Sequence, residues 1–231
     1  MSLRGVLFDL DGTLADTARA EREAWDTLAA VIETHVPTLD REELNRRYHG
    51  VFEPHWTGYL EGRLAFSEYR WNRLRDAIAP WAELDEDLYI AYRQEKRRGV
   101  ERLRLFDDAI PTVRRVRAGG LRAGLLTNGP SELQRRKLAI TGLEPELEAI
   151  AISEEIGAAK PEPEAFSVAA AMLDLEPGDI AMVGDSPIYD IAGANAAGCA
   201  LAVLVTRGLD LASEGATAIP TLTELPTALG L

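Results

Sequence analysis

Ile180-Ala181-Met182-Val183-Gly184-Asp185-Ser186-Pro187-Ile188-Tyr189-Asp190 is the stretch from which the architecture of this chain can be read. Its first four residues are apolar and predict a short strand with both faces buried. Ser186 offers a side-chain acceptor for the first turn of a helix. Pro187 suits the first helical position, where its missing N–H leaves no bond unmade. Gly198 is placed to end that helix. A strand that runs almost directly into a helix is half of a parallel crossover unit.

The same alternation recurs on both sides. Val6-Leu7-Phe8 predicts a first strand. Ala109 to Val116 reads as a helix closed by Gly119-Gly120, and Ala123 to Leu126 as a second strand. Ser131 to Ile140 has a helical pattern, with Ser131 and Gln134 spaced as a capping box and Gly142 at the end. Ala149 to Ile152 predicts a third strand and Ala200 to Val205 a fifth, with 180–183 as the fourth. Pro161 is read as the start of a helix through Leu173. Apolar strands alternating with helices mean a parallel α/β sheet.

Residues 16–98 are different. They contain all four Trp, five of the six Tyr and all three His, and no strand-like run. Ala20, Ala24, Leu28, Val31 and Ile32 recur at helical spacing after Asp16 and Thr17, two plausible N-caps. Leu60, Leu64, Tyr69 and Leu74, then Leu84, Leu88 and Tyr92, continue the pattern. The expectation is an inserted helical domain over 16–98 and an α/β domain built from 1–15 and 99–231. The charged stretch Gln94 to Gly99 is read as the return hinge. Each Trp is read as packing within the small bundle, and the histidines as packing or surface residues.

The chain has 231 residues, a formal net charge of −13 and a single cysteine, Cys199. That surplus of carboxylates repels nucleic acid and anionic membranes at long range. The longest apolar run is far below the roughly 18 residues of a membrane span. One cysteine excludes an intramolecular disulfide, and the expected setting is the cytoplasm.

Ligands of parallel sheets bind beyond the carboxyl ends of the strands. Asp9-Leu10-Asp11-Gly12-Thr13-Leu14 follows the first strand and Thr127-Asn128-Gly129 the second. Lys160-Pro161 follows the third at a short distance, and Gly184-Asp185-Ser186 the fourth, with Asp190 five residues on. Clustered carboxylates repel one another unless a divalent cation neutralises them. Mg²⁺ fits an oxygen-only site with few protein ligands. A phosphate would then find positive charge and donors in Lys160, Thr127, Asn128 and the metal. A carboxylate in this setting can attack phosphorus, and a second one two residues away can serve as acid and base. Each motif by itself is commonplace: a turn, a cap or a solvated lysine. Together, in this order and each at a strand end, they point to phosphoryl transfer.

These four motifs resemble those of the haloacid dehalogenase superfamily over nearly the whole chain. The resemblance implies a Rossmann-like parallel core of five or more strands, with the 16–98 insertion as a type 1 helical cap hinged over the site. It implies Asp9 as nucleophile and Asp11 as acid and base. Mg²⁺ would be held by the Asp9 carboxylate, the Asp11 carbonyl and Asp185, with Asp190 orienting its waters. Thr127 and Asn128 would bind the phosphoryl group, Lys160 would pair with Asp9 and phosphate, and Thr13 would orient the first loop.

The superfamily also contains dehalogenases, phosphonate hydrolases and mutases. Dehalogenases lack the second aspartate, which is present here as Asp11. Phosphonate hydrolases use a cap lysine, and the only one in 16–98 is Lys96, near the expected hinge. The mutases carry a histidine soon after the first motif, and 15–34 contains none. The expectation is a phosphatase acting on a small phosphorylated metabolite, as a monomer or homodimer. The alternative is a silent binding protein on the same fold, which would predict loss of Asp9, Asp11, Lys160 or Asp185. A looser similarity, carried by Trp56 to Gly62, Leu125 to Gly129, Gln134 and Ile152 to Gly157, points to the 5'-nucleotidase and N-acylneuraminate 9-phosphatase subgroup.

Overall fold

The computed structural model describes residues 3–211 and 214–231. The chain forms two compact units, Met1–Thr17 with Leu103–Leu231, and Ala18–Arg102. These limits lie two to four residues beyond the boundaries expected at 15/16 and 98/99.

The first unit holds β1 (Gly5–Phe8), β2 (Arg122–Thr127), β3 (Ala149–Ile152), β4 (Ile180–Gly184), β5 (Leu201–Val205) and β6 (Thr217–Ile219). They form one sheet in the order β3-β2-β1-β4-β5-β6, every pair parallel. All four β1 residues are buried, because helices cover both faces. Leu7, Leu126, Phe166, Ile180, Met182 and Leu204 belong to one apolar cluster under the sheet. β6 was not expected from sequence: it has three residues, of which only Ile219 is buried, too short to leave a periodic signal.

The helices are α1 (Thr17–His35), α2 (Arg41–Gly50), α3 (Phe52–Leu60), α4 (Phe66–Ile78), α5 (Glu86–Val100), α6 (Ala109–Ala118), α7 (Ser131–Thr141), α8 (Ser153–Ile156), α9 (Pro163–Ala171), α10 (Gly193–Ala197) and α11 (Leu225–Ala228). A wide π-helical turn, Pro187–Ala192, leads into α10, with the Ser186 side chain accepting from the Tyr189 N–H as the sequence suggested.

The second unit is built from α1 to α5 around Leu28, Ile32, Leu44, Leu74, Ile78, Leu88 and Tyr92. Asp40 caps α2 by accepting from the N–H groups of Glu42 and Glu43, and Asp85 caps α5 at Leu88. Trp25, Trp71 and Trp81 pack against this core, and Trp56 packs on Phe52, Tyr59 and Tyr69 instead.

Three local expectations are corrected. Gln94 to Gly99 forms the last turns of α5, and the boundary between the units falls after it, at Arg102/Leu103. Gly99 is there for packing: a Cβ on it would lie 3.1 Å from the Ala24 Cβ of α1. The capping box at Ser131 does not form. Pro130 takes the cap position, Ser131 is the first helical residue, and its hydroxyl turns to Glu155. That leaves Gln134 for another use. The helix expected from Pro161 begins at Pro163, which keeps proline in the first turn, and Pro161 stays in the preceding loop.

Candidate active site

The chain leaves β1 at the centre of the sheet, with β2 on one side and β4 on the other. Such a switch in strand order opens a crevice at the carboxyl ends. Asp9 stands there directly after β1, its N–H bonded to Val183 O at 2.9 Å. The loop after it is wound tightly, with Gly12 N–H on Ala15 O at 2.9 Å. Gly12 has φ +82°, and a Cβ on it would sit 2.1 Å from Asp185 Oδ2. Only glycine permits both that conformation and that approach.

Lys160 joins the motifs. Its ammonium donates to Asp9 Oδ1 at 2.5 Å and to Asp190 Oδ1 at 2.6 Å, and the residue is 3 % exposed. Burial disfavours the charged lysine, but Asp190 and Asp9 outweigh it and hold the ammonium protonated. Asp190 is seated by its own turn: its Oδ2 accepts from Ser186 N–H at 2.9 Å. A Cβ on Gly184 would lie 2.2 Å from the Asp190 carboxyl carbon, so the glycine is what lets the carboxylate reach the strand end.

The electrostatics are those of a site short of positive charge. Burial pushes the Asp9 carboxyl well above the usual carboxylate range, against the pull of Lys160 and with Asp190 and Asp185 adding to it. Burial, then Asp190, push Asp185 up to about 7. Three carboxylates face one ammonium. Oxygens of Asp9, Asp185 and Asp190 all lie within 4.8 Å of one another. An all-oxygen donor set with excess negative charge fits a hard divalent cation such as Mg²⁺.

Thr127, the fully buried last residue of β2, accepts from Gln134 Nε2 at 2.6 Å. Asn128 is committed to the Lys160 backbone: its amide donates to Lys160 O at 2.8 Å and accepts from Lys160 N–H at 2.9 Å. Its side chain therefore pins the lysine loop. Ser153 ties the same loop through Gly129 N–H at 2.9 Å. Asp11 lies beside the carboxylate cluster and pairs with α7. Lys137 Nζ donates to its two oxygens at 2.8 and 2.7 Å, and Gln134 Nε2 to one of them at 3.1 Å. Thr13 is held by its carbonyl, which accepts from Arg207 Nη2 at 2.6 Å, while Arg207 Nη1 pairs with Asp108 at 2.7 Å. Its buried hydroxyl has no partner among the described residues.

The structure thus brings together Asp9, Lys160, Asp185 and Asp190, and beside them Thr127, Asn128 and Asp11. Sequence reasoning missed Lys137 and Arg207. Lys137 lies three residues after Gln134 and shares its helix face, a signal present in the spacing. Arg207 follows β5, and nothing local distinguishes it.

A family profile described as haloacid dehalogenase-like hydrolase matches residues 3–198. The chain belongs to the haloacid dehalogenase-like hydrolases. It is 32% identical over 208 residues to glyceraldehyde 3-phosphate phosphatase of Methanopyrus kandleri, covering 89% of this chain and 85% of the relative. It is 32% identical over 228 residues to phosphoserine phosphatase of Thermus thermophilus, covering 88% and 89%. The N-acylneuraminate-9-phosphatase of Mus musculus is 28% identical over 211 residues, covering 89% and 83%. Among solved structures, a hydrolase of this superfamily from Bacillus subtilis bound to magnesium superposes with a TM-score of 0.82 at 25% identity, covering 100% of both chains. The six-stranded parallel sheet with its surrounding helices is this superfamily's α/β fold. No helix among the described residues is long and apolar enough to cross a membrane.

Proposed function

We propose that this hydrolase is a magnesium-dependent phosphatase that cleaves a small organic phosphate monoester through an aspartyl-phosphate on Asp9. The observation that carries the proposal is the buried Asp9–Lys160–Asp190 array, with Asp185 beside it, at the carboxyl end of the central strand.

Asp9 is the nucleophile. Its carboxylate attacks phosphorus while Asp11 gives its proton to the departing ester oxygen. The Asp11 carboxylate then takes a proton from water, which attacks the aspartyl-phosphate and returns Asp9. Lys160 holds Asp9 in place and faces the charge of the transferring group. Thr127 supplies a hydroxyl and Asn128 its main-chain N–H to the phosphoryl oxygens. Asp9 and Asp185 would hold Mg²⁺ by their carboxylates and Asp11 by its carbonyl, with Asp190 behind the waters of the ion. The bound ion supplies the positive charge this cluster lacks. Thr13 keeps the loop in register through its carbonyl.

In this reading the α/β unit carries the chemistry and the helical unit selects the substrate, a small phosphorylated metabolite. The phosphorylated compounds named for the relatives, and nucleoside monophosphates, are the first to try. A cytoplasmic enzyme, monomeric or homodimeric, belongs to the same proposal.

The test is phosphate release from a panel of sugar phosphates, nucleoside monophosphates, phosphoserine and glyceraldehyde 3-phosphate, with Mg²⁺ and with EDTA. Release that requires the metal and vanishes in Asp9→Asn supports the proposal. Metal-independent release, or full turnover by Asp9→Asn, overturns it.

A further inference from the structure

Asp11 is the first-motif carboxylate that lies outside the close Asp9–Asp185–Asp190 group. Its two oxygens are held from α7, by Lys137 at 2.8 and 2.7 Å and by Gln134 at 3.1 Å. Gln134 is 1 % exposed, and the same amide nitrogen also reaches Thr127 Oγ1 at 2.6 Å and Asn128 O at 3.2 Å. The Lys137 side chain is 13% exposed. Gln134 therefore links the Asp11 carboxylate to the end of β2, and Lys137 adds a charge-assisted, two-oxygen contact. Gln134 and Leu138 are the buried residues of α7, and Lys137 stands between them in sequence.

We propose that Lys137, with Gln134, is a positioning residue that stations the Asp11 carboxyl for proton transfer to and from the leaving oxygen. This rests on the phosphatase reading above. In the first half-reaction the Asp9–phosphorus bond forms and the ester P–O bond breaks. The Asp11 proton goes to the ester oxygen, and the alcohol departs. The carboxylate left on Asp11 is stabilised by the Lys137 ammonium and kept in one place by the Gln134 amide. Without Lys137 the carboxylate that forms loses its counter-charge, and the side chain loses its fixed orientation, both of which slow a step that depends on proton transfer.

The test uses two monoesters of similar size. Benzyl phosphate has an alkoxide leaving group that needs a proton. 4-Nitrophenyl phosphate has one that departs unaided. Leaving-group release is followed in single turnovers with Mg²⁺ for wild type, Lys137→Met and Lys137→Arg. The expected result is a loss of about tenfold to a hundredfold on benzyl phosphate in Lys137→Met. The loss on 4-nitrophenyl phosphate should stay below about threefold, with KM for both little changed and Lys137→Arg restoring most of the rate. Equal losses on both esters, which a merely structural role would produce, overturn the proposal, as does an unchanged rate on benzyl phosphate. Absence of metal-dependent release in wild type across the whole panel would instead overturn the phosphatase reading beneath it.

Discussion

Replacing Lys160 by methionine keeps most of the side-chain volume and removes one buried charge. The ammonium it deletes bonds Asp9 at 2.5 Å and Asp190 at 2.6 Å, and the three side chains are 3%, 9% and 1% exposed. Removing one partner of a buried ion pair destabilises a protein by about 3–5 kcal/mol, because the remaining charge is stranded in a poor solvent. Here two carboxylates are stranded, which puts the effect at the upper end. For a chain of this size each kcal/mol shifts the melting temperature by about 2–4 °C, so Lys160→Met should melt about 10–20 °C lower at pH 8 without metal. The pH dependence has a definite sign. Losing the lysine raises the folded-state pKa of Asp9, already above the usual range, further still. A carboxyl whose folded pKa exceeds its unfolded value destabilises the native state at high pH and ceases to do so as pH falls through the folded pKa. The deficit should therefore shrink between pH 8 and pH 5, and saturating Mg²⁺ should shrink it at constant pH. In the Lys160→Met/Asp190→Asn double variant the combined loss should be smaller than the sum of the single losses. Differential scanning calorimetry reads all of this. A Lys160→Met protein that melts within about 2 °C of wild type at pH 8 would refute the claim that this lysine holds the carboxylates together.

Asp9→Asn should show no phosphate release while its circular dichroism stays native, since the amide keeps the shape and removes the nucleophile. Gly12→Ala should lose metal-dependent turnover and melt lower, because the new Cβ would lie 2.1 Å from Asp185 Oδ2 at φ +82°. A Gly12→Ala enzyme of native activity would show that the loop has room the geometry denies. Burial pushes the Cys199 thiol up to about 12. Its alkylation by iodoacetamide at pH 8 should therefore run more than about a hundredfold slower than that of free cysteine.

Much of this molecule was legible along the chain. The limits of β3, Ala149–Ile152, coincide with those expected, and β1, β2, β4 and β5 differ by one or two residues. Strands buried on both faces leave continuous apolar runs, and their ends are marked by glycine, proline and side-chain caps. These are local signals. The motifs were legible for the same reason: a parallel sheet places its chemistry at the carboxyl ends of its strands, so the order of strands along the chain located Asp9, Thr127, Lys160 and Asp185.

What the chain did not disclose is where side chains point once distant segments meet. Ser131 and Gln134 have the spacing of a capping box, yet Pro130 takes the cap and Gln134 reaches Asp11, 123 residues away. The place of Asn128 at a strand end does not reveal that its side chain grips the backbone of Lys160. The Gln94–Gly99 stretch was read as a hinge by its charge and glycine, and that glycine lets two helices approach. Sequence by itself determined the elements, their order and the chemistry at their ends, because backbone propensity and burial act over a few residues. The tertiary structure alone decided the partners of Asp11, Asn128, Thr13 and Gly99, because a hydrogen bond or a close contact is chosen by what the fold brings within about 3 Å.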